Sequence, residues 1–356
     1  MRLAFSIIEA GEMEWVRHYR RMMAAQTKTT ARLPRIAAVA AGVILQAGCM
    51  ISRGEATFSR TLRVDGPVRL EVTTGSGRIV VHNGSPGEVR ISGEVRVGGL
   101  WSSSASRRAA EIASNPPIDQ SGNLVRLGAD RGGAHWGAVS ISYTVETPAD
   151  TEVNARTGSG DVQITGLREP VGITVGSGFA RVDELGDKLT ISMGSGRIEA
   201  SRIQGSISFR SGSGEVAFRD VKEDVRGAAG SGSIEIDRAL GRVSVETGSG
   251  PIRVNGAAQD LRASTGSGKI EVHGNPAGNA FWDLGATSGG ITLAVPATAS
   301  FALTAHTSSG DVRVDMPISI EEQTRKFLRA RVGNGKAHVN VETRSGNIRI
   351  VQGGET

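Results

Sequence analysis

The chain has 356 residues, 49 of them glycine, with aromatic residues at only 4% and a formal net charge of +5. So much glycine with so few aromatics disfavours a globular α/β core and suits thin strands joined by tight corners. Residues 1–48 hold seven Lys or Arg and three Glu, a contribution of +4, so the chain from Cys49 onward is near +1, and the basic balance is no footprint for nucleic acid.

Lys28, Arg32 and Arg35 precede an apolar run from Ile36 to Leu45, which ends at Gln46-Ala47-Gly48-Cys49. A charged segment, an apolar segment and small residues in that order are the pattern of a secretory signal. The run is too short to cross a bilayer as a helix. Such a signal begins close to its charged region, so Met22 or Met23 fits as the start and residues 1–21 as an extension of the gene model. Cys49 is the only cysteine, which excludes an intrachain disulfide framework. Ala47-Gly48-Cys49 resembles the lipobox of bacterial lipoproteins, whose cysteine is lipidated and becomes the new N-terminus. It departs from that pattern three residues before the cysteine, where Gln46 stands in place of the preferred Leu. The expectation is an exported protein of the cell envelope, held to a membrane by a lipid on Cys49 and facing the periplasm or the cell surface. Residues 49–66 then read as the lipidated cysteine and a polar tether.

Residues 67–150 read as an N-terminal cap. Val68 to Val72 alternate in polarity, Thr74-Gly75-Ser76-Gly77 opens another alternating segment, and Val89 to Val97 is a further strand. Ser102 to Ser114 is small and polar, compatible with one short helix, and Asn115-Pro116-Pro117 ends it. Leu124 to Leu127 and Val139 to Val145 return to alternation.

From here a single phrase governs the chain. Gly158-Ser159-Gly160 returns at Gly176, Gly194, Gly212, Gly230, Gly248 and Gly266, every 18 residues without slippage. A fixed period over many copies is the mark of a repeat architecture. Two residues after each second glycine the chain places Val162, Ala180, Ile198, Val216, Ile234, Ile252 and Ile270, and two further on Ile164, Val182, Ala200, Phe218, Ile236, Val254 and Val272. Polar residues lie between, so each copy is a strand with one face buried. A second alternating segment follows in each copy, as in Leu189/Ile191 and Val243/Val245. Such a unit cannot bury its apolar face alone, and stacked copies make one continuous core. The fold class expected for residues 151–351 is therefore all-β: a single-stack β-solenoid of about ten 18–21-residue coils. Each coil has two main strands, and capping segments close both ends. Outward columns alternate in sign, as in Glu184, Arg202, Asp220, Arg238 and in Glu235, Arg253, Glu271, which favours in-register stacking. The serines between the glycines, Ser159, Ser177, Ser195, Ser213, Ser231, Ser249 and Ser267, form a corner ladder whose expected role is structural.

Two other solenoids with 18 residues per turn are disfavoured. The hexapeptide type requires an apolar residue every six positions, where Arg168, Gly186, Gln204, Lys222, Leu240 and Ala258 stand. The calcium-binding type requires an Asp in each nonapeptide, but the residues after Gly-Ser-Gly are Asp161, Phe179, Arg197, Glu215, Ser233, Pro251 and Lys269. Beyond residue 275 the spacing loosens to 21. Ile291 to Val295, Phe301 to Ala305 and Val312 to Val314 remain strands. Glu321 to Arg331 is a helix-compatible charged run suited to covering the far end, and Gly333 to Val341 and Ser345 to Val351 read as two closing strands.

Thr157-Gly158-Ser159-Gly160-Asp161-Val162, its echoes, and the closing Thr343-Arg344-Ser345-Gly346-Asn347-Ile348 resemble the bacterial DUF4097 family, labelled as adhesins and related to the GIN head domains of auto-transporter adhesins. The resemblance spans roughly residues 67–351. It implies a β-helical, exported or envelope-attached protein, and it supplies no catalytic residues.

The residues themselves offer little chemistry. The histidines (His18, His82, His135, His273, His306 and His338) are scattered without the paired spacing of a metal site. The glycine phrases lack the third glycine of a dinucleotide fingerprint and the Gly-Lys-Ser/Thr of a P-loop. No catalytic, metal or cofactor-binding residue is expected, and no cofactor. The one enzyme alternative is a carbohydrate-active β-helix, which requires carboxylates converging across a groove. Asp161, Asp183, Glu199, Glu215, Asp237 and Glu271 face outward, but as members of charge ladders. Trp101, Trp136 and Trp282 lie outside the clean repeats, where they suit cap cores better than sugar stacking. The leading expectation is a non-enzymatic, adhesin-like envelope solenoid with a protein or polysaccharide partner, membrane contact through its lipid and no nucleic acid. An envelope-stress accessory protein differs from it only in partner.

Overall fold

The apolar columns of the repeat become the interior of a β-solenoid. The computed structural model describes residues 52–99, 102–128 and 139–353. In the strand Val171–Leu185, the side chains of Val171, Ile173 and Val175 point inward. Gly176-Ser177-Gly178 turns the corner, and Ala180, Val182 and Leu185 point inward from the next side. This strand pairs in parallel with Leu189–Ile203 in the register Val171 with Leu189 and Ala180 with Ile198, an offset of one repeat. Leu189–Ile203 pairs with Ile207–Val221 at the same offset. In later coils the corner divides the strand, as in Val225–Ser231 with Ile234–Ala239 and Val243–Ser249 with Ile252–Ala257. The result is two parallel sheets sharing one core: a front sheet built from the strand before each corner and a back sheet built from the strand after it. Each coil advances the stack by the strand spacing, about 4.8 Å.

Val and Ile fill most of the core, as suits strands buried between neighbours on both sides. Larger side chains are accommodated by local deletions. Phe209 packs edge-to-face on Phe218 with ring centroids 5.2 Å apart. In the next coil a Cβ on Gly227 would lie 2.4 Å from the Phe209 ring, so the ring occupies the space that a side chain there would fill.

The two ends depart from sequence order in the same way. At the N-terminal end, Val68–Ser76 lies between Leu124–Leu127 and Thr151–Ser159 in the front sheet. In the back sheet, Ile79–Asn83 lies between Val139–Thr147 and Val162–Leu167. At the C-terminal end, Ala337–Ser345 lies between Phe281–Ser288 and Phe301–Ser309, and Ile348–Gln352 between Ile291–Val295 and Val312–Asp315. The last coil of the chain is thus inserted one level inside the stack. This corrects the expectation that residues 333–351 close the far end.

The closing elements are antiparallel. Phe327–Val332 pairs with Phe301–Ser309, and Ser319–Gln323 pairs with Phe327–Val332. The charged run expected to be helical is therefore a β-hairpin: Leu328, Ala330 and Val332 are buried and alternate with exposed Arg329 and Arg331. At the other end, the residues expected to be a tether form the strand Ser52–Arg63, antiparallel to Glu88–Gly99, which is antiparallel to Val139–Thr147. The helix α1, Ser102–Ser114, covers these strands with Ala105, Ala109 and Ala113, a stripe of small residues on one face. The approach is close, since a Cβ on Gly54 would lie 2.2 Å from the Ala105 carbonyl carbon. Both capping devices end the parallel ladders, whose open edges would otherwise pair with other chains. The signal, Cys49, Trp101 and Trp136 lie outside the described residues.

Candidate interaction surface

The surface of the solenoid is set by four repeating positions. The first is the corner. The second glycine of each phrase has φ between +128° and +153° from Gly160 to Gly250, a region open essentially to glycine alone. Its N–H donates to the serine carbonyl of the next coil, as in Gly232 to Ser249 and Gly250 to Ser267, both at 2.9 Å. The series continues from Gly289 to Ser345 and from Gly346 to Ser309, so the inserted coil keeps the corner intact. Ser159, Ser177, Ser195, Ser213, Ser231, Ser249 and Ser267 stack in register and are exposed. Their carbonyls accept the corner bonds, while their hydroxyls make no hydrogen bond among the described residues. Reading the sequence overlooked a second corner group. The buried Thr247, Thr265, Thr343 and Thr307 donate to the glycine carbonyls of Gly232, Gly250, Gly289 and Gly346. The available signal was the threonine three residues before the second corner glycine, in Thr247-Gly248-Ser249-Gly250 and Thr343-Arg344-Ser345-Gly346 alike.

The second position is a ridge at the far edge of the back sheet. Glu184, Arg202, Asp220 and Arg238 have φ of +54° to +59°, in a column whose neighbours Gly166 and Gly256 are also left-handed. A non-glycine residue there costs about 1–2 kcal/mol. An ion pair this exposed to solvent returns little. Arg238 binds Asp220 at 2.6 Å and Arg202 lies 3.1 Å from Glu184, so the pairs at best balance the backbone strain.

The third position is the outward face of the back sheet, which carries the carboxylates singled out in the sequence. Each of those six is held by a cation. Asp161 lies 3.7 Å from Arg78, Glu199 3.5 Å from Arg197, Glu215 2.7 Å from Arg197, Asp237 3.3 Å from Arg238 and Glu271 2.8 Å from Arg253; Asp183 pairs with Arg202. The six carboxylates are therefore spread along ion-paired ladders rather than converging across a groove. Hydrogen bonds from Lys269 and then Arg253 hold the Glu271 carboxyl below its usual range, and Arg238 does the same for Asp220. A general acid requires a shift in the opposite direction.

The fourth position is the outward face of the front sheet, and it is built differently. Its central rows carry small hydroxyl residues, Thr174, Thr190, Ser192 and Ser208, between exposed Arg156, Lys188, Arg210 and Arg226. Two adjoining grooves of about 380 and 300 Å³ run along it. Gly172 opens the first, where a Cβ would meet the Asn154 side chain at 2.6 Å.

Trp282 is fully buried in the front sheet, and its Nε1–H donates to the Gln259 carbonyl at 2.7 Å. It is core, not a sugar platform. His82 and His273 are half-buried, and His306 lies 3.9 Å from Glu342. Among the described residues no three His, Cys, Asp or Glu side chains are grouped to hold a metal ion. No helix among them is long and apolar enough to cross a membrane.

Comparison with known proteins follows from this geometry. Three crystal structures are similar to the chain. A "putative cell adhesion protein" from Clostridium sporogenes is 12% identical, with 84% of this chain and 100% of that one covered, at a TM-score of 0.23. A "putative adhesin" from Bacteroides fragilis is 14% identical, covering 83% and 97%, at a TM-score of 0.31. A "putative adhesin" from Parabacteroides distasonis is 10% identical, covering 83% and 97%, at 0.24. No curated protein matches. The family model described as Toastrack DUF4097 matches residues 183–351, which span the regular coils, the inserted coil and the closing hairpin. Over residues 183–351 the chain is therefore similar to the Toastrack DUF4097 family.

Proposed function

We propose that this protein is a non-enzymatic, adhesin-like scaffold of the cell envelope, exported by its N-terminal signal and anchored through a lipid on Cys49. The observation that carries the reading is the state of the outward carboxylates. All six candidates for glycosidic chemistry are committed to ion pairs within the coils, and the coils of residues 160–275 are uniform, with no long loops to enclose a substrate. What such a surface does well is present a rigid, repeating face to a partner. The signal-like segment and the lipobox-like Ala47-Gly48-Cys49 support a location of that face outside the cytoplasm.

The test has two arms. Intact mass of the protein from its native membrane fraction, with Cys49→Ser as control, should show a diacylglyceryl increment on a chain beginning at Cys49. Incubation of the purified protein with a panel of bacterial polysaccharides should release no new reducing ends. Cleavage of any glycan, abolished by neutralising one carboxylate such as Glu271→Gln, would overturn the reading.

A further inference from the structure

Between Arg156 and Arg226 the front sheet leaves cations unpaired where the back sheet mostly pairs them, and the difference points to a ligand. On the back sheet Arg181, Arg197 and Arg253 each face a glutamate in the same or a neighbouring coil. On the front sheet Arg156, Lys188 and Arg210 have no carboxylate in ion-pair range among the described residues, and Arg226 stands 3.8 Å from Asp224 at the rim. Leaving like charges unpaired on one face, in a fold that pairs them routinely on the other, forgoes stabilisation. The register places Lys188 two levels above Arg156, Arg210 one level above Lys188, and Arg226 one level above Arg210. At the strand spacing these intervals are about 10, 5 and 5 Å along the axis, and the cations are staggered across the face: Arg156 and Arg210 share a column, while Arg226 and Lys188 lie two and four residues nearer the strand starts, about 7 and 13 Å to the side.

Between the cations lie exposed hydroxyls and the two grooves. Carboxylates limit the strip at both ends. Glu152 lines the first groove but is held 3.1 Å from Arg69, and Glu246 lines the far part of the second. No outward aromatic side chain stands among these rows, so the strip lacks the stacking platforms that single-stranded nucleic acid uses.

We propose that the front face from Arg156 to Arg226 binds a linear acidic polysaccharide, a uronate-type chain lying along the solenoid axis. Its carboxylates pair with Arg156, Lys188, Arg210 and Arg226, and its hydroxyls bond with Thr174, Thr190, Ser192 and Ser208. This deepens the adhesin-like reading and rests on it. The experiment is binding of the full chain to polygalacturonate, with neutral dextran and single-stranded DNA of matched length as comparators. The triple substitution Arg156→Ala, Arg210→Ala, Arg226→Ala is made beside the back-face control Arg181→Ala, Arg253→Ala. The expected result is polygalacturonate binding that weakens with salt and falls by about tenfold or more in the front-face variant alone. All three front-face residues are exposed, so the variant should keep its fold, verified by its circular dichroism. Equal binding by both variants, or DNA bound more tightly than polygalacturonate, overturns the site. Retention of dextran or an envelope protein without polygalacturonate also overturns it, while leaving the adhesin-like reading standing.

Discussion

Replacing Gly214 by alanine puts a Cβ 1.7 Å from the Gly196 carbonyl oxygen of the preceding coil, at a residue whose φ is +130°. Two costs follow. The backbone angle itself is worth about 1–3 kcal/mol of strain for any residue but glycine. The collision is with main chain, which cannot rotate away as a side chain can, so the coils must part at that corner. Parting them sacrifices one or two ladder hydrogen bonds, each worth about 1 kcal/mol. The expected loss is about 2–5 kcal/mol from these two sources together. The neighbouring Ser213→Ala removes only an exposed hydroxyl and should stay within about 0.5 kcal/mol of the parent. Urea denaturation of the two variants, read by circular dichroism, gives the comparison. Hydrogen exchange of the flanking coils shows whether the damage is local, as expected of a stack held by nearest neighbours. A Gly214→Ala protein as stable as Ser213→Ala would refute the claim that this corner fixes the spacing of the coils.

Three further outcomes are expected. Trp282→Ala should cost about 3–5 kcal/mol as a fully buried aromatic, whereas Trp282→Phe should cost about 1–3 kcal/mol, chiefly by leaving the Gln259 carbonyl without its donor; a Trp282→Phe midpoint equal to that of the parent would count against that hydrogen bond. The carboxyls of Asp220, Glu271 and Asp311 are held below their usual range by Arg238, by Lys269 and Arg253, and by Arg325 respectively. Their stabilisation is therefore complete above the unfolded value of about 4 and disappears as pH falls through the lower folded values. A urea midpoint that drops between pH 5 and 3, and drops less in Glu271→Gln, would meet this expectation. Truncation after Lys336 should remove an inner coil rather than an end, so that the strand Phe301–Ser309 loses the parallel partner that joins it to the stack and residues 301–332 become protease-sensitive; resistance of that segment would contradict the insertion.

Much of this was legible in the sequence because the repeat states its own geometry. Val162, Ala180, Ile198 and their successors name the inward column, and Glu235, Arg253 and Glu271 name an outward one. The ends were harder for a physical reason. Every coil offers its neighbour the same apolar columns, so nothing local distinguishes Leu303 from Val339 as the residue to stand beside Trp282, and the order of coils is decided by the whole end assembling together. In Phe327–Val332 the period of two was present but masked by the charge of Arg325, Lys326, Arg329 and Arg331. In Ser52–Arg63 the inward positions include Gly54 and Ala56, too small to register as a strand, and Arg60 on the same face is exposed. The front face was missed because its signal is an omission: arginines at Arg156 and Arg210 without the acidic partner that the same spacing supplies elsewhere.

The inserted coils give the molecule two finished ends and a modular middle. Each clasp is made only from its own terminal region, so whole 18-residue units can be added or removed between about residues 160 and 275 without disturbing either. Such a body acts as a spacer whose reach changes in steps of one strand spacing, about 4.8 Å. Any periodic ligand lying along it would meet one more or one fewer row of contacts, never a fraction of a row.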